Sequence, residues 1–181
     1  MLVLMVNGSP RREGNTDILL AEVARSAQAN GAEVEQVILA EKNIEACNGC
    51  LSCEAVGECA ISDDMDALYP RLRHADAIVL GTPVYFWTVS GLLKQFMDRT
   101  YGLHYQRDLT GKIGAAVVVA GRAGGSTAYE TIMAFYQLHR MYPAGGVIAY
   151  GLAAGEVRHD REGMEQARRL GRLLYRLHGS R

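Results

Sequence analysis

No apolar run in this 181-residue chain is long enough to span a bilayer, and no basic segment with a cleavable apolar stretch precedes the first apolar run, Leu2–Asn7. Those absences predict a protein that stays off the membrane and resides in the cytoplasm. Charge of one sign is also lacking. A formal net charge of −1 gives no general attraction to nucleic acid or to an anionic membrane. Repeats, low-complexity tracts and interdomain linkers are missing too, so residues 1–181 read as one domain. A domain of this size buries about two-thirds of its unfolded surface and needs no disulfide staples. Cysteine is sparse, and in a reducing compartment the few thiols stay free for chemistry.

All four cysteines fall in one short segment, Cys47, Cys50, Cys53 and Cys59, with the spacing C-x2-C-x2-C-x5-C. Thiolates at every third residue can turn back toward a common centre, and the spacing resembles an iron–sulfur ligand set. A zinc ribbon separates its cysteine pairs by a long spacer, which is absent. The bacterial ferredoxin run ends in a proline where this chain has Ala60, and there is no second cysteine set. A disulfide pair, a thiol sensor and the remnant of a former metal site remain open as readings. No histidine shows a paired spacing, so none is assigned to metal.

Apolar, β-branched runs at Leu2–Val6, Glu33–Leu39, Ala77–Leu80, Ile113–Ala120 and Gly146–Tyr150 read as strands. Helical periodicity occupies Thr16–Asn30, Asp64–His74, Val89–Tyr101, Ser126–Met141 and Arg161–His178, with Pro70 predicting a kink or a short first segment in the second. The alternation predicts an α/β, doubly wound parallel sheet whose ligands bind outside the carboxyl ends of the strands. In the last helix Leu170, Leu173, Leu174 and Leu177 recur among Arg168, Arg169, Arg172 and Arg176, the pattern of an amphipathic helix with a solvated arginine face.

The loop after the first strand, Asn7-Gly-Ser-Pro-Arg-Arg-Glu-Gly-Asn-Thr16, runs from a buried strand into a helix. Ser9, Asn15, Thr16 and Arg11 supply donors and charge beside that helix's unpaired amides, which suits a phosphate. Neither the dinucleotide pattern G-x-G-x-x-G nor the P-loop pattern is present, so a single terminal monophosphate is the better match. Helix capping alone is the other use of Ser9 and Thr16. The loop after the third strand holds Pro83, Val84, Tyr85, Phe86 and Trp87, flat side chains of the kind that cover an isoalloxazine face or pack a subunit interface. Gly121 and Gly124, after the fourth strand, allow close backbone approach to a ligand or simply form a turn. Asp98 and Arg99 read as an ion pair within a helix or from helix to loop, and Asp63 and Asp64 as caps of the helix that follows the cysteines.

Together the segments G-S-P-R-x-x-G-N-T, C-A-I-S-D-D-M, P-V-Y-F-W-x-V-S-G-x-L-K-x-F-x-D-R-T and G-x-x-G-G resemble the flavodoxin-like NAD(P)H-dependent FMN reductase family. Within it, the cysteines make the chain most similar to the iron–sulfur flavoproteins. The resemblance implies a five-stranded sheet of order 2-1-3-4-5, FMN as prosthetic group, a compact four-iron four-sulfur (4Fe-4S) cluster, and assembly as homodimers or homotetramers. Carried over by position, Ser9, Arg11, Asn15 and Thr16 hold the FMN phosphate. Pro83, Val84, Tyr85, Phe86 and Trp87 then border the ring, Gly121 and Gly124 lie near its pyrimidine side, and Cys47, Cys50, Cys53 and Cys59, in an insertion loop at 43–62, ligate the cluster. No side chain is assigned a catalytic role.

Three functions compete on these residues. One is an electron-transfer flavoprotein taking electrons from a ferredoxin-like donor through the cluster to FMN and on to a small acceptor. Another is a cluster-free oxidoreductase in which NAD(P)H, stacking transiently with no domain of its own, reduces FMN for a quinone or nitro acceptor. The third is a non-enzymatic thiol redox sensor.

Overall fold

A parallel sheet covered on both faces buries both sides of its strands, so its strands form where apolar and β-branched residues run without interruption. In the computed structural model, which describes residues 1–180, these strands are β1 (Leu2–Asn7), β2 (Glu33–Ile38), β3 (Ala77–Pro83), β4 (Ile113–Ala120) and β5 (Tyr142–Tyr150). All pair in parallel in the order 2-1-3-4-5, the flavodoxin-like α/β arrangement that the resemblance implies. Every residue of β1 and β4 is buried, whereas the edge strands β2 and β5 are partly open.

The helices are α1 (Asn15–Ala29), α2 (Ser52–Val56), α3 (Met65–His74), α4 (Gly91–Asp98), α5 (Tyr101–Tyr105), α6 (Gly125–Leu138) and α7 (Arg161–Gly179). The period-2 alternation of β1 sends Val3 and Met5 into one core and Leu4 and Val6 into the other. The first core is completed by Leu19 and Val23 of α1 and Leu170 and Leu174 of α7. The second takes Leu68 and Leu72 of α3, Phe96 of α4 and Ile132 of α6. The arginine face of α7 stays outside, where Arg168 donates to Glu22 at 2.7 Å.

Tyr136 of α6 locks the β3–β4 seam. Its fully buried hydroxyl accepts from the Leu80 N–H at 3.1 Å and donates to the Ala115 carbonyl at 2.7 Å. The ring lies over Gly114, where an added Cβ would sit 2.6 Å from it.

Several elements differ from their sequence-based expectation. The helix expected over Val89–Tyr101 is two, α4 and α5, because the Thr100 hydroxyl donates to the Met97 carbonyl at 2.7 Å and turns the chain between them. Strand β5 starts at Tyr142 rather than Gly146, since an edge strand tolerates Pro143 and the irregular register opposite Gly114 and Ala116. The short helix α2 lies inside the cysteine segment, between the left-handed residues Leu51 and Gly57. Pro70 does not divide α3, which runs from Met65 to His74.

Candidate functional site

The carboxyl end of β1 delivers Asn7, buried, whose Oδ1 accepts from the Ser9 N–H at 2.9 Å while its Nδ2 donates to Asp17 at 3.2 Å. This side-chain turn shapes the loop, and Asn7 was not singled out in the sequence although an asparagine at a strand end before glycine is its signal. The Arg11 N–H donates to Ser9 Oγ at 3.2 Å. Ser90 Oγ donates to the Gly8 carbonyl at 2.6 Å, and the Gly8 N–H to the Gly81 carbonyl at 2.8 Å, so the loop is tied to the connection after β3. Ser9 and Thr16 are buried and Arg11 is exposed. No side chain caps the first turn of α1, so its backbone N–H groups and the positive end of its dipole are open to the loop.

Asn15 has a different position from that of a free donor. Its Nδ2 donates to the Gly151 and Ala153 carbonyls at 2.9 and 2.8 Å, and its Oδ1 accepts from the Val157 N–H at 3.3 Å. The amide therefore clamps the loop after β5 against α1, and what Asn15 presents to the β1 loop is its backbone N–H.

After β3, Tyr85 and Thr88 exchange backbone hydrogen bonds at 3.0 and 3.1 Å across Phe86 and Trp87. Both central residues have positive φ, +46° and +65°, the geometry of a type I′ turn that ordinarily selects Asn and Gly. Phe86 is 99% exposed and Trp87 62%. Gly124, at φ +83°, lies against this turn: a Cβ there would meet Trp87 at 2.9 Å and Val84 at 3.1 Å. A Cβ on Gly121 would meet Leu152 at 3.0 Å. The Val84 N–H donates to the Val119 carbonyl at 2.8 Å, which holds Pro83 and Val84 beside β4. The loops after β1, β3, β4 and β5 thus form one rim.

The cysteine segment leaves that rim. It starts beside the β1 loop, where Arg12 and Glu41 pair at 2.8 Å, then follows α4 downward, with Gln95 Nε2 donating to the Ile44 carbonyl at 2.5 Å. Cys47, Cys50, Cys53 and Cys59 line one cavity of about 360 Å³ together with Asp98, Arg99, Tyr101 and Tyr105. This cavity lies at the end of α4 opposite Ser90, and eight helical residues span about 12 Å. Cys47 and Cys50 are exposed, Cys53 and Cys59 half-buried. Hydrogen bonds from the Ser52 hydroxyl and N–H lower the Cys50 pKa, whereas burial and the neighbouring Cys59, Cys47 and Cys50 sulfurs raise that of Cys53.

Beneath the cavity sits Arg99, 1% exposed. Its guanidinium forks onto Asp63 (Nη1–Oδ2 2.5 Å, Nη2–Oδ1 3.2 Å) and also donates to the Glu45 and Ile61 carbonyls at 2.9 and 3.0 Å. Against the cost of burial, the guanidinium and the N–H groups of Glu45 and Met65 hold the Asp63 carboxyl below its usual range. The pair is the helix-to-loop alternative for Arg99, while Asp98 pairs within α4 to Lys94 at 2.5 Å. Asp63 also accepts from the Met65 N–H at 2.9 Å, and Asp64 from Asn43 at 2.7 Å. These carboxylates clasp the two ends of the segment together.

Chemically, the rim offers uncapped helix N–H groups, a guanidinium and small or aromatic residues, a donor set suited to a phosphate monoester attached to a flat ring. Among the described residues no three acidic, thiol or imidazole groups converge closely enough for a single metal ion. The four thiols are spread around one cavity, and thiolate sulfur is a soft ligand of the kind that binds iron or zinc.

A parallel 2-1-3-4-5 sheet with its loops gathered in a rim at the strand carboxyl ends defines a flavodoxin-like α/β protein. Residues 1–155 match the NADPH-dependent FMN reductase family, and the chain belongs to it. It is 40% identical over 184 residues to an iron–sulfur flavoprotein of Methanocaldococcus jannaschii, covering 96% of this chain and 95% of that one. An iron–sulfur flavoprotein of Archaeoglobus fulgidus is 33% identical over 172 residues, covering 94% and 77%. The fold is shared with the NAD(P)H:quinone oxidoreductase from Methanothermobacter marburgensis, TM-score 0.76 at 19% identity, covering 96% of both chains. The protein is an FMN-dependent flavoprotein oxidoreductase. Among the described residues no helix is long and apolar enough to cross a membrane.

Proposed function

We propose that this flavoprotein works with two redox centres, FMN at the rim and a four-iron four-sulfur cluster held by Cys47, Cys50, Cys53 and Cys59, and that it delivers electrons to a small acceptor. The observation that carries this reading is that every cysteine of the chain lines a single cavity. FMN when bound supplies one- and two-electron chemistry, and a cluster supplies single electrons. The chain's own residues do the rest. Ser9, Thr16 and the backbone of Asn15 bind the phosphate at the α1 N-terminus, with Arg11 adding a charge-assisted contact. Pro83, Val84, Tyr85, Phe86, Trp87, Gly121 and Gly124 border the ring. The open position of Phe86 supports burial against a second copy, in a homodimer or homotetramer. The donor is a ferredoxin-like protein, or NAD(P)H stacking transiently, in a cytoplasm reducing enough to keep the thiols free.

Anaerobic purification with assay of FMN, iron and labile sulfide tests the reading: about one FMN and four irons per chain are expected. Arg11→Ala should weaken FMN retention by about 1.5–3 kcal/mol, the range for a hydrogen bond to a charged group. Cys50→Ser should lose iron and keep FMN. FMN without iron, even after reconstitution, would replace the proposal with a cluster-free NAD(P)H-dependent oxidoreductase.

A further inference from the structure

Arg99 has more donors than its clasp uses. Four hydrogen bonds occupy Nη1 and Nη2, yet Nε is buried with no hydrogen-bond partner among the described residues. A buried guanidinium N–H is costly to leave unpaired, and here it lies at the wall of the cavity that the four thiols line. Cys59 lines that cavity together with Arg99. Tyr69 holds the backbone there, donating to the Arg99 carbonyl at 2.9 Å.

We propose that Arg99 is a positioning residue that sets the reduction potential of the four-cysteine centre, by holding a fixed positive charge and an unpaired Nε donor in the lining of the cavity that the four cysteines share. The inference rests on the cluster reading of the cysteines. Charge on the thiolate sulfurs grows when the centre gains an electron, and a cation fixed in a poorly polarisable interior favours that reduced state. Because the guanidinium is fully buried and gripped by Asp63, it cannot swing away as a surface arginine would. Asp63 works in the opposite sense: its carboxylate partly cancels the charge that the centre feels. The fork accordingly gives two handles of opposite sign on one potential.

The test uses the full-length protein, reconstituted anaerobically and titrated with dithionite, with the reduced cluster followed by electron paramagnetic resonance. Arg99→Gln should favour the oxidised centre by at least about tenfold, a fall of about 59 mV for a one-electron couple. Asp63→Asn should move the potential upward, and Arg99→Lys should hold it nearer the wild-type value than the glutamine variant does. A purely structural role would not give opposite signs. If Arg99→Gln fails to hold iron, the sign of the Asp63→Asn shift decides alone. Loaded variants with unchanged potentials, or shifts of the same sign from both, would overturn the proposal. Loss of iron from all three variants would assign Arg99 to scaffolding and overturn it equally. Wild-type protein that takes up no iron or sulfide would remove the cluster reading first, a failure distinguishable from a loaded centre indifferent to residue 99.

Discussion

The rim and the cysteine segment are held by opposite means. Around the rim, small residues and uncharged hydrogen bonds do the holding: Gly124 against Trp87, Gly8 bonded to Gly81 and Ser90, and the Asn15 amide clamping the loop after β5. Around the cysteines few apolar side chains are buried, and α2 buries none, so polar ties hold the segment to α4: the Arg99 guanidinium on Asp63, Glu45 and Ile61, and Gln95 on Ile44. The rim inherits its order from the sheet. The cysteine segment depends chiefly on Arg99, which makes it the easier of the two to loosen separately.

The strongest way to break that comparison is Arg99→Met. It leaves Asp63 buried without its partner, and removing one member of a buried pair costs about 3–5 kcal/mol. Urea unfolding should show the loss, and amide exchange should rise across 43–62 before it rises in β1 or β4. Equal loosening of both regions would contradict the division drawn above.

Acid should act next. His139, buried under the junction of α4 and α5, meets the Thr100 hydroxyl at 3.0 Å, packs at a tilt on Phe135 and has the His104 ring edge-on beside it. Burial, helped by His104, lowers its pKa from 6.5 to about 4. A folded-state pKa below the unfolded one means that the unfolded chain takes the proton first. Stability is therefore full above pH 6.5 and falls between there and about pH 4, with a slope of up to about 1.4 kcal/mol per pH unit. His139→Gln should flatten this part of the curve. The depressed Asp63 pKa acts in the same direction at more acid pH: its contribution is present above the unfolded value of 3.8 and disappears as pH falls through the lower folded one.

Gly124→Ala probes the rim, where it forces a Cβ into Trp87 and Val84 at a left-handed position; a loss of about 1–3 kcal/mol is expected, read as a lowered thermal midpoint with iron content unchanged. Asn15→Ala should cost about 1 kcal/mol and raise exchange at Val157, sharpening the assignment of that amide to loop clamping rather than to a ligand.

Much of the fold was legible because its signals are local. Uninterrupted β-branched runs marked β1 and β4, and leucines at helical spacing marked α7. The loop between β1 and α1 was legible as a donor-rich turn at a strand's carboxyl end. What local reasoning missed depends on contacts distant in sequence. Asn15 looked like a free donor because its partners at 151–157 lie across the sheet. Asp63 looked like a helix cap, which it is, but its fork with Arg99 is visible only once α4 is folded against the segment. The continuous helix expected over Val89–Tyr101 ignored Thr100, whose hydroxyl competes for a backbone carbonyl and ends α4.

The turn at Phe86 and Trp87 bears on how this protein can change. Two large aromatic residues occupy left-handed positions where Asn-Gly would be relaxed, and both rings are largely in water. Selection for heat resistance alone would replace them and gain stability at each step. The most thermostable descendants of this fold would then be those that had lost the aromatic wall of the rim. Retention of both rings under such selection would measure how much the organism depends on what that wall does.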